Sequence, residues 1–272
     1  MSNIGIIAGG GKLPIAIGSN LIKKKYNICF FVIEEFFNSN NYKDFDVTII
    51  NLKSAKKIIN LLKSRDIDSI IMAGNINRPS LTDLSFDYQT LKLAKNLLLN
   101  KTGDDGLLIS IQKYFNDNGF SYFDWKKYCP ELFANKDLLT QIKPSRKAQD
   151  NLQKAISIFK SFGEIDVGQS MIIQNKIVLG LEAAEGTDNL ITRCKDYKKS
   201  GDRGILVKFS KYNQSNTLDI PTIGEKTIKL LKECDYEGLY LEKDRCLILD
   251  KEKIIDLANQ HKIFISTCNK IE

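Results

Sequence analysis

NIGIIAGGGKLPIAIGSNLIKKK, residues Asn3 to Lys25, decides the fold. Asn3–Ala8 is an apolar run of strand length, and Gly9-Gly10-Gly11-Lys12-Leu13-Pro14 breaks it at once. The chain then reads as a helix through Lys25, with Pro14 near its first turn, where a missing N–H costs nothing. The unit recurs. Cys29–Ile33 and Asp46–Leu52 read as strands, Lys53–Ser64 as an amphipathic helix with Ile58, Ile59, Leu61 and Leu62 inward, and Ser69–Ala73 as a fourth strand running into Gly74-Asn75. Strands alternating with helices of these lengths predict an α/β protein built on a parallel sheet covered on both faces. Ligands of such sheets collect at the carboxyl ends of the strands, which gathers the Gly9–Gly11, Gly74–Arg78 and Thr102–Asp105 loops at one edge.

Further along, Thr82–Leu99 and Leu107–Asn116 read as helices and Phe120–Trp125 as a strand. The pattern loosens from Lys126 to Asp150, around Pro130 and Pro144, which sets a junction between an N-terminal Rossmann-like domain, residues 1–132, and a C-terminal α/β domain, residues 133–272. The second half reads as a helix at Asp150–Phe162, strands at Asp166–Ile173, Lys176–Leu181 and Ile205–Phe209, a helix at Lys226–Lys232, strands at Gly238–Leu241 and Cys246–Leu249, then a helix and Phe264–Ser266.

The composition excludes several classes of chemistry. With 272 residues, 43% apolar and 27% charged, the chain has the make-up of a globular protein with real cores. No apolar run approaches the roughly 20 residues that span a bilayer, and the N-terminus lacks the pattern of a signal peptide. Cys29, Cys129, Cys194, Cys234, Cys246 and Cys268 show no C-x-x-C spacing and read as reduced thiols of a cytosolic protein. A single histidine, His261, excludes histidine-based zinc sites and leaves carboxylates, lysines and a hard cation such as Mg²⁺. The net charge of +7 comes from dispersed lysine, without an Arg-rich arm or a nucleic-acid motif, and fits phosphorylated ligands or an anionic membrane surface better than nucleic acid.

Two acidic segments carry the candidate chemistry. In LEAAEGTD, Leu181–Asp188, three carboxylates (Glu182, Glu185, Asp188) crowd directly after an apolar run, and a divalent cation or a donor-rich ligand would relieve their repulsion. In LDIPTIG, Leu218–Gly224, Asp219 precedes a Pro-Thr-Ile-Gly turn that fixes its direction. The plainer alternative for both is an acidic loop facing water. The glycine loop matches neither a Walker loop, because Leu13 follows Lys12, nor a dinucleotide fingerprint, because Pro14 stands at the third glycine; its backbone N–H groups can still approach a phosphate. Asp104 and Asp105 favour the first turn of a helix and could also bind metal. Arg78, held extended before Pro79, could clamp a phosphate or pair with a carboxylate, and Lys208 and Lys211 flank the approach to Asp219.

The series IAGGGKLP (Ile7–Pro14), GNINRPSL (Gly74–Leu81), TGDDGLL (Thr102–Leu108), DVGQSMIIQNKIVLGLEAAEGTDNLI (Asp166–Ile191) and LDIPTIG (Leu218–Gly224) resembles the UDP-2,3-diacylglucosamine pyrophosphatases of the LpxI type. The resemblance covers nearly the whole chain. It implies a Mg²⁺-dependent hydrolase of lipid A biosynthesis that splits UDP-2,3-diacylglucosamine into UMP and 2,3-diacylglucosamine 1-phosphate, with the acylated sugar phosphate between two α/β domains. On this reading Asp219 is catalytic; Gly9, Gly10, Gly11, Lys12, Arg78, Gln169, Thr187, Lys208, Lys211 and Thr222 bind substrate; and Asp219, Glu185, Asp188, Asp104 and Asp105 supply the metal shell. Peripheral association with the cytosolic face of the inner membrane is expected, with a homodimer as an open assembly state. The family carries an acid and an arginine after the glutamine that precedes D-x-P, whereas this chain has Ser215 and Thr217. That departure is the one hint of an alternative, a sugar-nucleotide or lipid sensor without turnover. A nicotinamide oxidoreductase, suggested by the strand–glycine–helix start, is disfavoured by Pro14.

Overall fold

The computed structural model describes residues 3–76, 104–162, 168–210 and 220–269, with the backbone alone at 104–110 and 162. The chain divides into two compact units, Met1–Cys129 and Pro130–Glu272.

In the first unit, β1 (Asn3–Ala8), β2 (Asn27–Ile33), β3 (Val47–Ile50), β4 (Ser69–Ala73) and β5 (Ser121–Tyr122) form a sheet in the order β3-β2-β1-β4-β5. Every pairing in it is parallel. Chain order reverses between β1 and β4, the place where open α/β sheets leave a crevice at their carboxyl ends. Helix α1 (Leu13–Lys23) buries Pro14, Ile17, Gly18 and Leu21. A Cβ at Gly18 would lie 2.2 Å from Phe30 Cζ, so only glycine lets this helix lie so close to β2. On a second face, α2 (Ala55–Ser64) brings Ile58, Ile59 and Leu62 to a core with Ile7, Phe31, Ile33 and Ile70, joined by Phe115 of α3 (Asp104–Asp117).

The expected strand Phe120–Trp125 is shorter than its apolar pattern suggests. β5 pairs with β4 only through Ser69–Ser121 and Ile70–Tyr122, and the chain then turns into a 3₁₀ segment at Trp125–Tyr128 that buries Trp125. The helix read at Thr82–Leu99 lies outside the described residues.

The second unit has β6 (Ser170–Gln174), β7 (Ile177–Leu181), β8 (Ile205–Lys208), β10 (Gly238–Glu242) and β12 (Phe264–Cys268) in the order β12-β10-β8-β6-β7, while β9 (Thr222–Ile223) and β11 (Leu247–Ile248) form a separate parallel pair. β8, β10 and β12 run parallel; β6 and β7 are antiparallel additions at one edge. Helix α4 (Arg146–Phe162) covers one face through Ala148, Leu152, Ala155 and Ile156 against Met171, Ile173, Ile205, Val207 and Phe209. Helices α5 (Gly186–Cys194), α6 (Glu225–Glu233) and α7 (Lys251–Gln260) cover the other face, against Ile172, Leu206, Leu239, Leu241 and Ile265. Side chains alternate across a strand, so the β8 sequence Ile205-Leu206-Val207-Lys208-Phe209 puts Lys208 on the same face as Leu206, toward the helices. That inward lysine organises the site.

All six cysteines are free thiols, five buried and Cys268 partly so. Among the described residues, no helix is long and apolar enough to cross a membrane.

Candidate functional site

Ser170 of β6 lies directly opposite Lys208 of β8 in the antiparallel register. Lys208 is 4% exposed, and its ammonium donates to Thr187 Oγ1 at 2.6 Å and to Ser170 Oγ at 3.1 Å. Thr187, in the first turn of α5, donates its own proton to Glu182 Oε1 at 3.0 Å. Glu182 follows the end of β7, and its backbone N–H pairs with the Ser170 carbonyl at 2.8 Å. Its second oxygen, Oε2, stands 3.8 Å from Lys208 Nζ and is buried without a hydrogen-bond partner. Three strand ends and one helix start thus converge on one lysine.

The other candidate residues in LEAAEGTD have different partners. Arg193 donates to Glu185 Oε1 through Nε at 3.0 Å and Nη2 at 2.8 Å, while Ala183 N–H donates to Oε2 at 3.1 Å. These bonds, the guanidinium first, hold the Glu185 carboxyl below its ordinary range. Asp188 pairs with Lys226 of α6 at 3.0 Å. The crowding of Glu182, Glu185 and Asp188 therefore calls for no external cation: Lys208, Arg193 and Lys226 each neutralise one carboxylate. The segment is also not a plain loop, because α5 begins at Gly186 and turns Leu190, Ile191 and Cys194 into the core. Among the described residues, no group of three or more His, Cys, Asp or Glu is placed to hold a metal ion.

Asp219 and Lys211 lie outside the described residues, but both ends of their segment are anchored at the carboxyl end of β8. Glu242, 6% exposed at the end of β10, accepts from the N–H and hydroxyl of Ser210 at 2.7 and 2.6 Å. On the returning side, the Pro221 carbonyl accepts from Leu247 N–H at 2.8 Å, and neighbouring Cys246 donates its thiol to the Lys208 carbonyl at 3.3 Å. Thr222 sits in β9 with its hydroxyl on the Ile220 carbonyl, and Gln169 is buried, its carbonyl bonded to Phe209 N–H. Ser170, Ser210 and Glu242 were absent from the candidate residues, and Glu182, though counted among the crowded carboxylates, was given no role in the site. The signal for Glu182 was its place next to a strand end; Ser170 and Glu242 follow only from strand register.

In the first unit the glycine loop is tied to its neighbour. Gly9 N–H donates to the Ala73 carbonyl at 2.9 Å, Gly10 N–H to Asn75 at 2.7 Å, and Asn75 N–H returns to Gly10 at 2.9 Å. Those two N–H groups are thereby committed, contrary to the expectation that they approach a phosphate. Gly11, at φ +87°, has open space where a Cβ would be, and it leads through Lys12 into the start of α1. Asp104 and Asp105 form the first turn of α3; Arg78 falls outside the described residues.

The LpxI N-terminal domain model matches residues 3–132, and the LpxI C-terminal domain model matches residues 135–266. The chain belongs to the LpxI family. A curated relative, the UDP-2,3-diacylglucosamine pyrophosphatase LpxI of Caulobacter vibrioides, is 28% identical over 274 residues, with 97% of each chain covered. The buried lysine network, the Ser210–Glu242 clamp and the Ile220–Ile223 return all fall within the stretch matched by the LpxI C-terminal domain.

Proposed function

We propose that the chain is an enzyme that hydrolyses the pyrophosphate bond of UDP-2,3-diacylglucosamine to UMP and 2,3-diacylglucosamine 1-phosphate, a step of lipid A biosynthesis. Family membership and the activity for which the Caulobacter vibrioides relative is named support this reading. The observation that carries it is the position of Lys208: an almost fully buried ammonium at the carboxyl end of a parallel strand, beside both anchors of the Asp219 segment. Buried ion pairs are poor sources of stability, because desolvation offsets their attraction. A lysine kept in this position is better explained by charge needed locally than by folding.

In the reaction, water oxygen bonds to one phosphorus, the bond from that phosphorus to the bridging oxygen breaks, and the bridging oxygen leaves with the other phosphate. Negative charge builds on the bridging oxygen and needs a pre-placed cation. Lys208 is the proposed source, held in place by Thr187, Ser170 and Glu182. Asp219 is proposed to orient the attacking water. Gln169, Thr222, Lys211, Arg78 and the Gly11–Lys12 start of α1 are proposed substrate contacts.

A divalent cation would supply further neutralisation of the phosphate oxygens. Of the carboxylates expected in the metal shell, Glu185 and Asp188 are held instead by Arg193 and Lys226. Dependence on Mg²⁺ stays part of the proposal, with Asp219 as its carboxylate ligand and Asp104 and Asp105 as further candidates. Mg²⁺ takes one or two carboxylates and fills the remaining positions with water and phosphate. Peripheral association with the inner membrane belongs to the same reading, because the substrate carries two acyl chains.

The test is incubation with UDP-2,3-diacylglucosamine and Mg²⁺, followed by separation of products. Stoichiometric UMP and the acylated sugar 1-phosphate support the proposal. Tight binding of intact substrate without any UMP would favour the sensor reading that Ser215 and Thr217 suggest.

A further inference from the structure

At the end of the first unit distant from its glycine loop, α1 finishes in a cluster of lysines. Ile22, Lys23, Lys24 and Lys25 are all exposed, and Ile22 points away from the buried face of the helix at 42% exposure. Lys25 takes a left-handed conformation at φ +66°, which turns the chain sharply into β2. Against this turn packs the 3₁₀ segment Trp125–Tyr128, where Lys127 and Tyr128 are exposed and Lys126 is half-buried. The Lys24 ammonium donates to the Tyr128 carbonyl, which locks the two elements together. An aromatic trio lies beneath: Tyr26, Phe123 and Tyr128 have ring centroids 5.0 to 5.4 Å apart. Asp124 offsets one charge by pairing with Lys127 at 3.1 Å. The sequence places Lys23, Lys24, Lys25, Lys126 and Lys127 in two separate runs, and the fold makes them one surface.

A single cation in the last turn would satisfy the helix dipole. Five lysines around an exposed isoleucine and an exposed tyrosine exceed that need. Lysine for phosphate, tyrosine at the polar boundary and an aliphatic tip are the groups that suit the headgroup zone of an anionic bilayer.

We infer that this surface, Ile22–Lys25 with Lys126–Tyr128, is the contact by which the protein sits on an anionic phospholipid membrane. It extends the proposed peripheral association and relies on that reading only for its purpose. Vesicle binding is measured without substrate, so failure of the surface and failure of the hydrolase reading are seen separately.

The test is co-sedimentation of the full chain with phosphatidylglycerol-containing vesicles and with pure phosphatidylcholine vesicles at low and high salt. The parental protein is expected to bind the anionic vesicles, more weakly in high salt as charges are screened, and to leave the neutral ones. The variant Lys23→Gln/Lys25→Asn/Lys127→Gln should bind at least about tenfold more weakly, given the weight of each lysine near an anionic surface. A control that removes the same charge from exposed positions of the second unit, Lys154→Gln/Lys195→Gln/Lys232→Gln, should bind within about twofold of parental. Ile22→Ser should weaken binding while leaving the salt dependence in place. All these positions are exposed, and parental circular dichroism and melting confirm folding of each variant. Equal losses from the two triple variants would reduce the effect to net charge and overturn the inference. So would undiminished binding of the first triple variant, equal binding to neutral vesicles, or no binding by the parental protein.

Discussion

Lys208 Nζ stands 2.6 Å from Thr187 Oγ1, and the same hydroxyl donates onward to Glu182 at 3.0 Å. A hydroxyl has one proton to give, so its direction here is fixed: toward the carboxylate, with a lone pair toward the ammonium. Lysine, threonine and glutamate come from β8, α5 and the end of β7, and each restrains the other two.

Removing the lysine alone leaves Glu182, with a side chain 14% exposed, without its cation. Lys208→Met should therefore destabilise the protein by about 3 kcal/mol, the scale for breaking a buried pair. Adding Glu182→Gln keeps an acceptor for Thr187 and removes the stranded charge, so most of that stability should return. Turnover should not return with it. Thermal melts beside initial rates for parental, single and double variants check this; recovered activity in the double variant would make the network purely structural.

Gly9 and Gly11 should respond differently to alanine. A Cβ at Gly9 would lie 2.4 Å from the Asn75 carbonyl oxygen, and backbone there cannot step aside cheaply. At Gly11 the space is open and only the positive φ opposes a side chain, a strain of about 1 kcal/mol. Gly9→Ala should lower the melting temperature well beyond Gly11→Ala. If Gly11 borders the substrate, its alanine variant should raise KM with little loss of stability.

Acid sensitivity has a traceable source in α6. Glu225 accepts from Lys229 at 2.7 Å and from Lys253 of α7 at 2.5 Å, and these bonds hold its carboxyl down at about 2, from 4.5. A carboxyl depressed in the folded state adds stability above its unfolded pKa and loses it as pH falls through the folded value. Glu225→Gln should thus lower the melting temperature at neutral pH. The gap to parental should shrink below about pH 4.5 and close near pH 2. A constant gap across that range would contradict the linkage.

Chelation tests the cation requirement. Excess EDTA should abolish hydrolysis and Mg²⁺ should restore it, without a change in melting temperature, because Glu185 and Asp188 already have protein partners. Undiminished hydrolysis in EDTA would remove the metal from the account.

The first sheet was legible because Asn3–Ala8, Cys29–Ile33 and Ser69–Ala73 are apolar runs punctuated by glycine or by amphipathic helices. α5 was not. The run Glu185-Gly186-Thr187-Asp188 reads as an acidic loop, and the helical spacing of Leu190, Ile191 and Cys194 was the overlooked signal. Carboxylate crowding in LEAAEGTD misled for a related reason: the cations that answer it come from Arg193, Lys208 and Lys226, and pairing at that distance leaves no local trace in sequence. Lys208 was named for flanking the approach to Asp219, and its inward position on the face of Leu206 emerges from the two core faces of β8. Ser210 and Glu242 became connected only through the fold, 32 residues apart.

The most direct measurement is the rate of UMP release from UDP-2,3-diacylglucosamine by parental protein and by Asp219→Ala, with substrate binding followed in parallel. UMP release by the parental protein is expected, with a loss on the order of a hundredfold or more in the variant, retained binding and a parental melting curve. Parental-like turnover by folded Asp219→Ala, or no UMP from the parental protein in the presence of Mg²⁺, would contradict this expectation.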